Sequence, residues 1–157
     1  MTMVWDVRSG LAILTLPGQT VTFPYSGFSP NSAYIVTTNA SDNTATVWNV
    51  QTGAEAYTLS GHTEALTSAV YSSDGRLLVT AASDGRVSIW DAQSGKQTLT
   101  LPEQPFGYLI AQFSPNGNRI LTTSLTPNIA AHMWDSRAGT ELYMLTDPII
   151  VAAFSPD

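Results

Sequence analysis

The stretch "SDGRVSIWDAQSG" (residues 83–95) decides the fold of this chain. It begins with a tight Asp-Gly turn, continues with a short run in which apolar and polar residues alternate, and closes with a second turn after Trp-Asp. An alternating run bounded by two turns is typical of a strand in an antiparallel hairpin. The question is then how often the chain repeats this unit.

The same unit recurs at a nearly fixed period. Every tryptophan of the chain begins a copy, at intervals of 43, 42 and 44 residues: Trp5, Trp48, Trp90 and Trp134. An aromatic residue followed by Ser is a second marker in phase with the first: Phe28, Tyr71, Phe113 and Phe154. Self-similarity at a period of about forty residues indicates a repeat architecture.

One period, residues 61–101, shows what the unit contains. Three strand-length runs (LTSAVYS, RLLVTAA and RVSIWD) are separated by the turn sequence SDG, and a fourth run, KQTLTL, follows the turn AQSG. In RVSIWD, Val87 and Ile89 fall on one face of the predicted strand. Four short strands joined by tight turns predict an antiparallel meander, and residues 21–60 and 106–145 divide in the same way.

A four-stranded meander has two apolar faces and cannot bury both on its own. Stacking successive meanders around an axis, with the indole of each unit filling the gap between sheets, solves this problem. The predicted fold is therefore all-β, with blades of a β-propeller. One segment, 1–157, holds three full blades and two partial ones: 21–60, 61–101, 106–145, then 1–16 and 149–157.

The unit at 61–101 also resembles a known family. Gly61-His62 followed by Trp90-Asp91, at a period near forty-two residues, is similar to the WD-repeat family of β-propellers. The resemblance implies a network in which the Trp on the third strand bonds a Thr or Ser on the second. That hydroxyl bonds a His before the first strand, and an Asp in the turn before the third strand holds the His. The matching residues are His62, Thr80, Asp84 and Trp90.

The other units depart from this pattern. In the unit at 21–60, three residues match the implied network: Thr38, Asp42 and Trp48. Gln19 stands near the position of the His. In the unit at 106–145, two residues match: Ser124 and Trp134. There Asn128 replaces the Asp and no His precedes it, so we expect these blades to depend more on packing than on the network.

Composition and charge exclude several classes of partner. Hydrophobic residues make up 43% and charged residues 11%, which is typical of a globular chain. The net charge is −6, and Lys96 and the arginines are scattered, so no basic stripe serves nucleic acid or an anionic membrane. The absence of cysteine excludes disulfides and thiolate chemistry. No apolar run could span a bilayer and Met1 begins no signal peptide, which favours a cytoplasmic location.

Catalytic and metal-binding interpretations of the repeat residues are weaker than the interpretation that they stabilise the fold. Ser83, His62 and Asp84 could suggest a hydrolase triad, but a nucleophile on a strained turn and an oxyanion site are not visible. The stretches SDNTATVW and SDGRVSIW lack the further carboxylates that calcium needs. His132 is predicted to be a strand residue on the tryptophan's side of the sheet. We therefore expect no enzyme, no metal site and no cofactor.

Four aromatic residues fall in or beside the loops that enter first strands: Phe23, Tyr25, Phe106 and Tyr108. The resemblance implies that these loops ring one mouth of the propeller. Most of the four are expected to be core residues at the start of a strand. The alternative is that one or two are exposed anchors for a partner peptide, since aromatic side chains dominate interface hot spots.

The leading interpretation of function is a non-catalytic scaffold on which proteins or peptides dock, as the resemblance implies. The alternative is a regulatory or sensor segment of a larger signalling protein, such as a kinase or an NTP-hydrolysing switch. The fifteen strands counted along the chain fall just short of four blades, whereas closed propellers have about 4–8. The sequence therefore predicts part of a longer propeller, or a homo-oligomer that completes the ring.

Overall fold

The computed structural model describes residues 2–16, 27–104, 107, 109–124, 130–145 and 152–155. Within these residues the chain contains no helix and fourteen strands, which form four antiparallel sheets. No helix in this part of the chain is long and apolar enough to cross a membrane. The predicted all-β fold class is confirmed.

Each sheet is a meander whose strands follow one another in chain order. The first sheet has two strands: β1 (Thr2–Trp5) and β2 (Ala12–Leu16). The second has four: β3 (Gly27–Phe28), β4 (Tyr34–Asn39), β5 (Thr44–Asn49) and β6 (Glu55–Leu59). The third has four: β7 (Leu66–Tyr71), β8 (Leu77–Ala82), β9 (Val87–Asp91) and β10 (Gln97–Thr100). The fourth has four: β11 (Leu109–Phe113), β12 (Arg119–Ser124), β13 (Ala131–Asp135) and β14 (Glu141–Leu145).

The residue after each tryptophan builds the turn between the last two strands of its sheet. Oδ1 of Asp91 accepts hydrogen bonds from the hydroxyl and the backbone N–H of Ser94, at 2.6 and 2.7 Å, and these bonds lower the pKa of Asp91. Asn49 does the same with its amide oxygen, which accepts the N–H of Thr52 at 2.9 Å. The turn therefore needs an acceptor oxygen at this position rather than a charge.

Successive sheets pack face to face through apolar side chains. The tryptophans of the second, third and fourth sheets are buried, each in the cluster shared with the preceding sheet: Trp48, Trp90 and Trp134. Trp5 is 55% exposed, because no sheet precedes the first one among the described residues. The prediction that the indole of every unit fills a gap between sheets is therefore wrong for Trp5.

A contact between an outer strand and a glycine recurs at each junction between sheets. Tyr57 on β6 lies on the β9–β10 turn, where a Cβ added to Gly95 would be 2.7 Å from Cδ2 of its ring. The same contact joins two other pairs, each at 2.6 Å: Leu14 with Gly53 and Leu99 with Gly139. We call this an outer-strand/glycine contact. It requires glycine for space and for a positive φ, which is +68° at Gly95.

The last predicted strand differs from the structure. The partial blade predicted at 149–157 is described only at residues 152–155, and these are not in a strand. The side-chain amide of Gln112 donates to the carbonyl of Ala152 at 2.7 Å, so this segment lies beside the inner strand of the fourth sheet. Fourteen strands are present in the described residues, against the fifteen predicted.

The outer-strand/glycine contact gives a test of sheet packing. Gly95 and Gly10 have nearly equal φ angles, +68° and +69°, but a Cβ at Gly10 would meet nothing within 4 Å. Both Gly→Ala substitutions cost backbone strain, and only Gly95→Ala also collides with Tyr57. We expect Gly95→Ala to lower the free energy of unfolding by about 1–3 kcal/mol more than Gly10→Ala, as measured by urea denaturation. Equal urea midpoints would contradict the contact.

Candidate functional site

The structure brings the four residues of the implied network together in the third sheet. Nε1 of Trp90, on β9, donates to Oγ1 of Thr80, on β8, at 2.8 Å. Oγ1 of Thr80 is 2.9 Å from Nε2 of His62, which lies in the loop before β7. Nδ1 of His62 is 3.3 Å from Oδ2 of Asp84, in the turn between β8 and β9. All four side chains are buried, with that of His62 only 3% exposed.

The strand register explains how the indole reaches its partner. Trp90 lies opposite Leu78, and Thr80 is two residues further along β8 on the same face. The indole therefore lies across the neighbouring strand with its N–H over the hydroxyl. Because a buried N–H without a partner is costly, a hydroxyl residue at this position stabilises the buried tryptophan.

The bonding pattern fixes the protonation of His62. An indole nitrogen can only donate, so Thr80 accepts from Trp90 and its own hydroxyl is free to donate to Nε2 of His62. Nε2 then carries no proton, and the proton on Nδ1 points to the carboxylate of Asp84. Burial lowers the pKa of His62, against the opposing attraction of Asp84. The imidazole is therefore neutral at pH 7.

Asp84 ties the His62 loop to the β8–β9 turn. Its carboxylate accepts the backbone N–H of Thr63 and of Arg86, each at 2.9 Å. Burial would raise the pKa of Asp84, but these two bonds and His62 together hold it below its usual value. The carboxylate thus stays charged and connects the loop, the turn and the imidazole.

This arrangement does not suit a hydrolase. In a triad, Nε2 of the histidine contacts the nucleophile, whereas here it contacts the buried hydroxyl of Thr80. The backbone N–H of Ser83 donates to the carbonyl of Ala65. Among the described residues, no group of three or more His, Asp and Glu side chains is arranged to hold a metal ion.

In the second and fourth sheets the tryptophan also donates to a threonine of the neighbouring strand, but not to the residue predicted. Trp48 donates to Thr37 at 2.9 Å and Trp134 to Thr122 at 3.0 Å. The sequence prediction of Thr38 and Ser124 is wrong because it assumed one spacing. The threonine precedes its tryptophan by 10, 11 or 12 residues, since the intervening turns differ in length, while the register keeps it two residues beyond the position opposite the indole.

Other predicted residues lie apart from the network or outside the described part of the chain. Asp42 is exposed and accepts hydrogen bonds from Asn39 and Thr44 within its own turn. His132 stacks on Trp134 with 5.7 Å between ring centroids, and its Nδ1 is 2.7 Å from Glu141. Six residues lie outside the described ranges: Gln19, Phe23, Tyr25, Phe106, Tyr108 and Asn128.

The sequence analysis missed a cleft between the second and third sheets, which Tyr34, Tyr57 and Tyr71 line. The signal was present in the aligned repeats. Tyr57 stands where two other sheets have Leu14 and Leu99, and Tyr71 stands where others have a phenylalanine. At both positions the tyrosine replaces another largely apolar side chain. Taken alone, each tyrosine is therefore consistent with ordinary packing between sheets.

The network predicts unequal costs for two isosteric substitutions. Thr80→Val leaves both the indole of Trp90 and the imidazole of His62 without their buried partner. Thr122→Val removes the acceptor of the Trp134 indole and a long hydrogen bond, 3.5 Å, from the threonine hydroxyl to the carbonyl of His132. We expect Thr80→Val to lower the free energy of unfolding by about 1–3 kcal/mol more than Thr122→Val. Urea denaturation of both variants tests this, and equal losses would show that the His62 bond contributes nothing.

The lowered pKa of His62 predicts a pH dependence of stability. Below the ordinary histidine pKa of about 6.5, the unfolded chain binds a proton that folded His62 does not, so stability falls as the pH falls. One such proton contributes a slope of at most about 1.4 kcal/mol per pH unit. We expect urea midpoints to decrease from pH 7.5 to 5.5 in the wild type and in His132→Gln, but not in His62→Gln. A decrease that survives in His62→Gln would assign it to another group.

Comparisons with known proteins agree with this geometry. The family model described as "WD domain, G-beta repeat" (WD40) matches residues 12–49 and 53–91. Each match begins in or near the outer strand of one sheet and ends just after the tryptophan of the next. The repeat unit is thus offset from the sheet by one strand, so consecutive repeats share a sheet.

Three curated relatives match parts of the chain. Protein tipD of Dictyostelium discoideum is 35% identical over 75 residues, 48% of this chain and 12% of that protein. Periodic tryptophan protein 2 of Arabidopsis thaliana is 34% identical over 79 residues, 50% of this chain and 9% of that protein. Ribosome assembly protein 4 of Chaetomium thermophilum is 39% identical over 51 residues, 32% of this chain and 10% of that protein.

The matched segments span only about a tenth of the length of these relatives. The family match rests on the repeat unit itself, which the family model finds twice in succession along this chain. The chain belongs to the WD-repeat family of β-propeller proteins.

Proposed function

We propose that the chain is a non-catalytic, cytoplasmic scaffold for protein partners, and that its sheets form part of a ring completed by a second copy of the chain. Ribosome assembly protein 4 is by its name an assembly protein, which supports a scaffolding role for a chain of the same repeats. The buried network supports a rigid frame rather than a reaction centre. The observation that carries the proposal is a pair of open sheet faces with complementary shapes.

Each open face exposes large apolar side chains. On the first sheet and its turn these are Trp5, Val7, Leu11 and Ile13. On the open face of β14 they are Tyr143 and Leu145, whereas Leu142 and Met144 alternate onto the opposite face of this outer strand. Contiguous exposed apolar residues of this size mark interaction surfaces. Every other sheet face in the described residues is covered by a neighbouring sheet.

The two open faces carry the two halves of the outer-strand/glycine contact. Tyr143 occupies the position of Tyr57 two sheets further on, opposite the residue before the tryptophan, and it is 59% exposed. Gly10 occupies the position of Gly95 in the first sheet, and the space beside it is empty. One end therefore presents an outer-strand residue without its glycine, and the other presents a glycine without its outer-strand residue.

These halves fit a head-to-tail contact between copies. Tyr143 of one copy would lie on the Gly10 turn of the next, as Tyr57 lies on the Gly95 turn within the chain. The same placement would set the fourth sheet of one copy over Trp5 of the next, as preceding sheets cover the other tryptophans. A contact between two different surfaces of one chain closes into a ring or continues as a filament, depending on the rotation between copies.

Two glycine substitutions test this assembly. Gly10 and Gly117 have φ angles of +69° and +71°, and neither has a close neighbour, since the nearest atom to a Cβ at Gly117 is 3.8 Å away. Asparagine tolerates this backbone region, so Gly10→Asn and Gly117→Asn have similar local costs. Only Gly10→Asn blocks the position of Tyr143.

We expect the wild type and Gly117→Asn to associate at micromolar concentrations, and Gly10→Asn to weaken association by at least about tenfold. Sedimentation velocity on the three proteins measures this directly. A wild type that stays monomeric, or equal association by all three, would refute the assembly. Far-ultraviolet circular dichroism verifies that both variants keep the sheet content of the wild type.

A further inference from the structure

The cleft between the second and third sheets has the size of a ligand site. It encloses about 610 Å³ on the side of the sheets that carries the β3–β4 and β9–β10 turns, away from the His62 loop. Tyr34, Tyr57 and Tyr71 line it together with charged residues of the adjacent turns. Sites for small molecules and single side chains fall in the range of about 300–1,000 Å³.

One polar group in this cleft has no hydrogen bond of normal length with the described residues. Tyr71 is 8% exposed, and its buried hydroxyl has the Tyr57 hydroxyl as a more distant polar neighbour. The neighbouring hydroxyl of Tyr57 already donates to the carbonyl of Ala92. Burial raises the pKa of Tyr71, so its hydroxyl stays protonated. A buried hydroxyl without a partner is destabilising, and a ligand that bonds it removes that cost.

Packing between sheets does not require these hydroxyls. At the junction of the third and fourth sheets, Leu77, Leu99 and Phe113 stand at the positions of Tyr34, Tyr57 and Tyr71. That junction packs with no hydroxyl at any of the three positions. The junction of the second and third sheets therefore has three rings that carry hydroxyl groups, whereas the junction of the third and fourth sheets has hydrocarbon side chains at the same positions.

The charges around the cleft favour a cation. Asp74 and Asp91 line it, and the hydrogen bonds of their turns end on Oδ1 of each carboxylate. Arg76 also lines the cleft; its Nε lies 4.0 Å from Asp74 and its side chain extends into solvent. Lys96 attracts Asp91 from outside the lining. The lining itself has two carboxylates and one arginine and is therefore net negative, as is the whole chain with a net charge of −6.

We propose that this cleft binds an arginine side chain presented by a partner peptide. A guanidinium is flat and stacks on tyrosine rings, and its five N–H groups can reach the oxygen of Tyr71 and a carboxylate at the same time. The inference rests on the scaffold function proposed above, for which it names the chemistry of the partner. It does not depend on assembly of the ring.

The test compares a capped Gly-Arg-Gly peptide with the same peptide carrying citrulline, which has nearly the shape of arginine but no charge. Isothermal titration calorimetry is carried out on the wild type and on Gly10→Asn, so that binding is measured with and without assembly. We expect the arginine peptide to bind both proteins and the citrulline peptide to bind at least about tenfold more weakly. Equal binding of the two peptides would overturn recognition of a cation.

Three variants locate the site. Tyr71→Phe installs the residue that Phe113 provides in the next repeat, and we expect it to weaken binding severalfold while raising the thermal midpoint. Thr140→Val removes an exposed hydroxyl outside the cleft and should change neither. Arg76→Asn, which matches Asn118, removes a competing charge and should tighten binding. Binding that is unaffected by Tyr71→Phe would place the peptide elsewhere.

Failure of this site and failure of the scaffold are distinguishable. If no arginine peptide binds while the wild type still assembles through Gly10, the cleft proposal is wrong and the assembly proposal stands. If the peptide binds a protein that never assembles, the reverse holds. A peptide of the same composition with glutamate in place of arginine should not bind in either case, and its binding would contradict the charge argument.

Discussion

The need to bury both faces of every sheet is the constraint on which the rest of this structure depends. Along β9, Val87 and Ile89 point to the following sheet and Trp90 to the preceding one, so a sheet buries both of its apolar faces only when it has a neighbour on each side. The indole is the largest group in this arrangement, and it has a polar N–H that must be paired. A threonine on the adjacent strand pairs it, which couples sheet stacking to a buried hydrogen bond.

That hydrogen bond is common to three sheets, whereas within the described part of the chain the full network is seen in the third sheet. In the third sheet Thr80 also bonds His62, and Asp84 joins the imidazole to the backbone of two loops. Local opening of the His62 loop would break its bonds to β8 and to the β8–β9 turn at the same time. The third sheet, buried between neighbours on both sides, is therefore the part in which backbone amides should exchange most slowly, and the first sheet, with one open face, the part in which they exchange fastest.

Much of the fold could be predicted from the sequence because similar turn residues and alternating strands recur in every unit. Each copy of the pattern supports the strand assignment made from the others. The hydrogen-bond partners of the tryptophans in the second and fourth sheets could not be predicted in this way. The turn between the two strands varies in length from unit to unit, whereas the strand register stays the same. Thr38 and Ser124 match the spacing of Thr80, but Thr37 and Thr122 match its place in the ladder. The exposure of Trp5 was also beyond the pattern, because burial depends on the neighbouring sheet and not on the residue's own unit.

Function in such a chain is best sought where the repeats differ while the backbone stays the same. The network residues recur because the fold needs them, so they say little about a partner. At the junctions, by contrast, Leu14, Tyr57, Leu99 and Tyr143 occupy one position with three kinds of surroundings: two bury hydrocarbon, one borders a tyrosine cleft and one is open. Since the same contact holds the sheets together in each closed case, the hydroxyls are additions that packing alone does not explain. A repeat protein can change such positions at little cost to its fold, which makes them natural places for partner recognition.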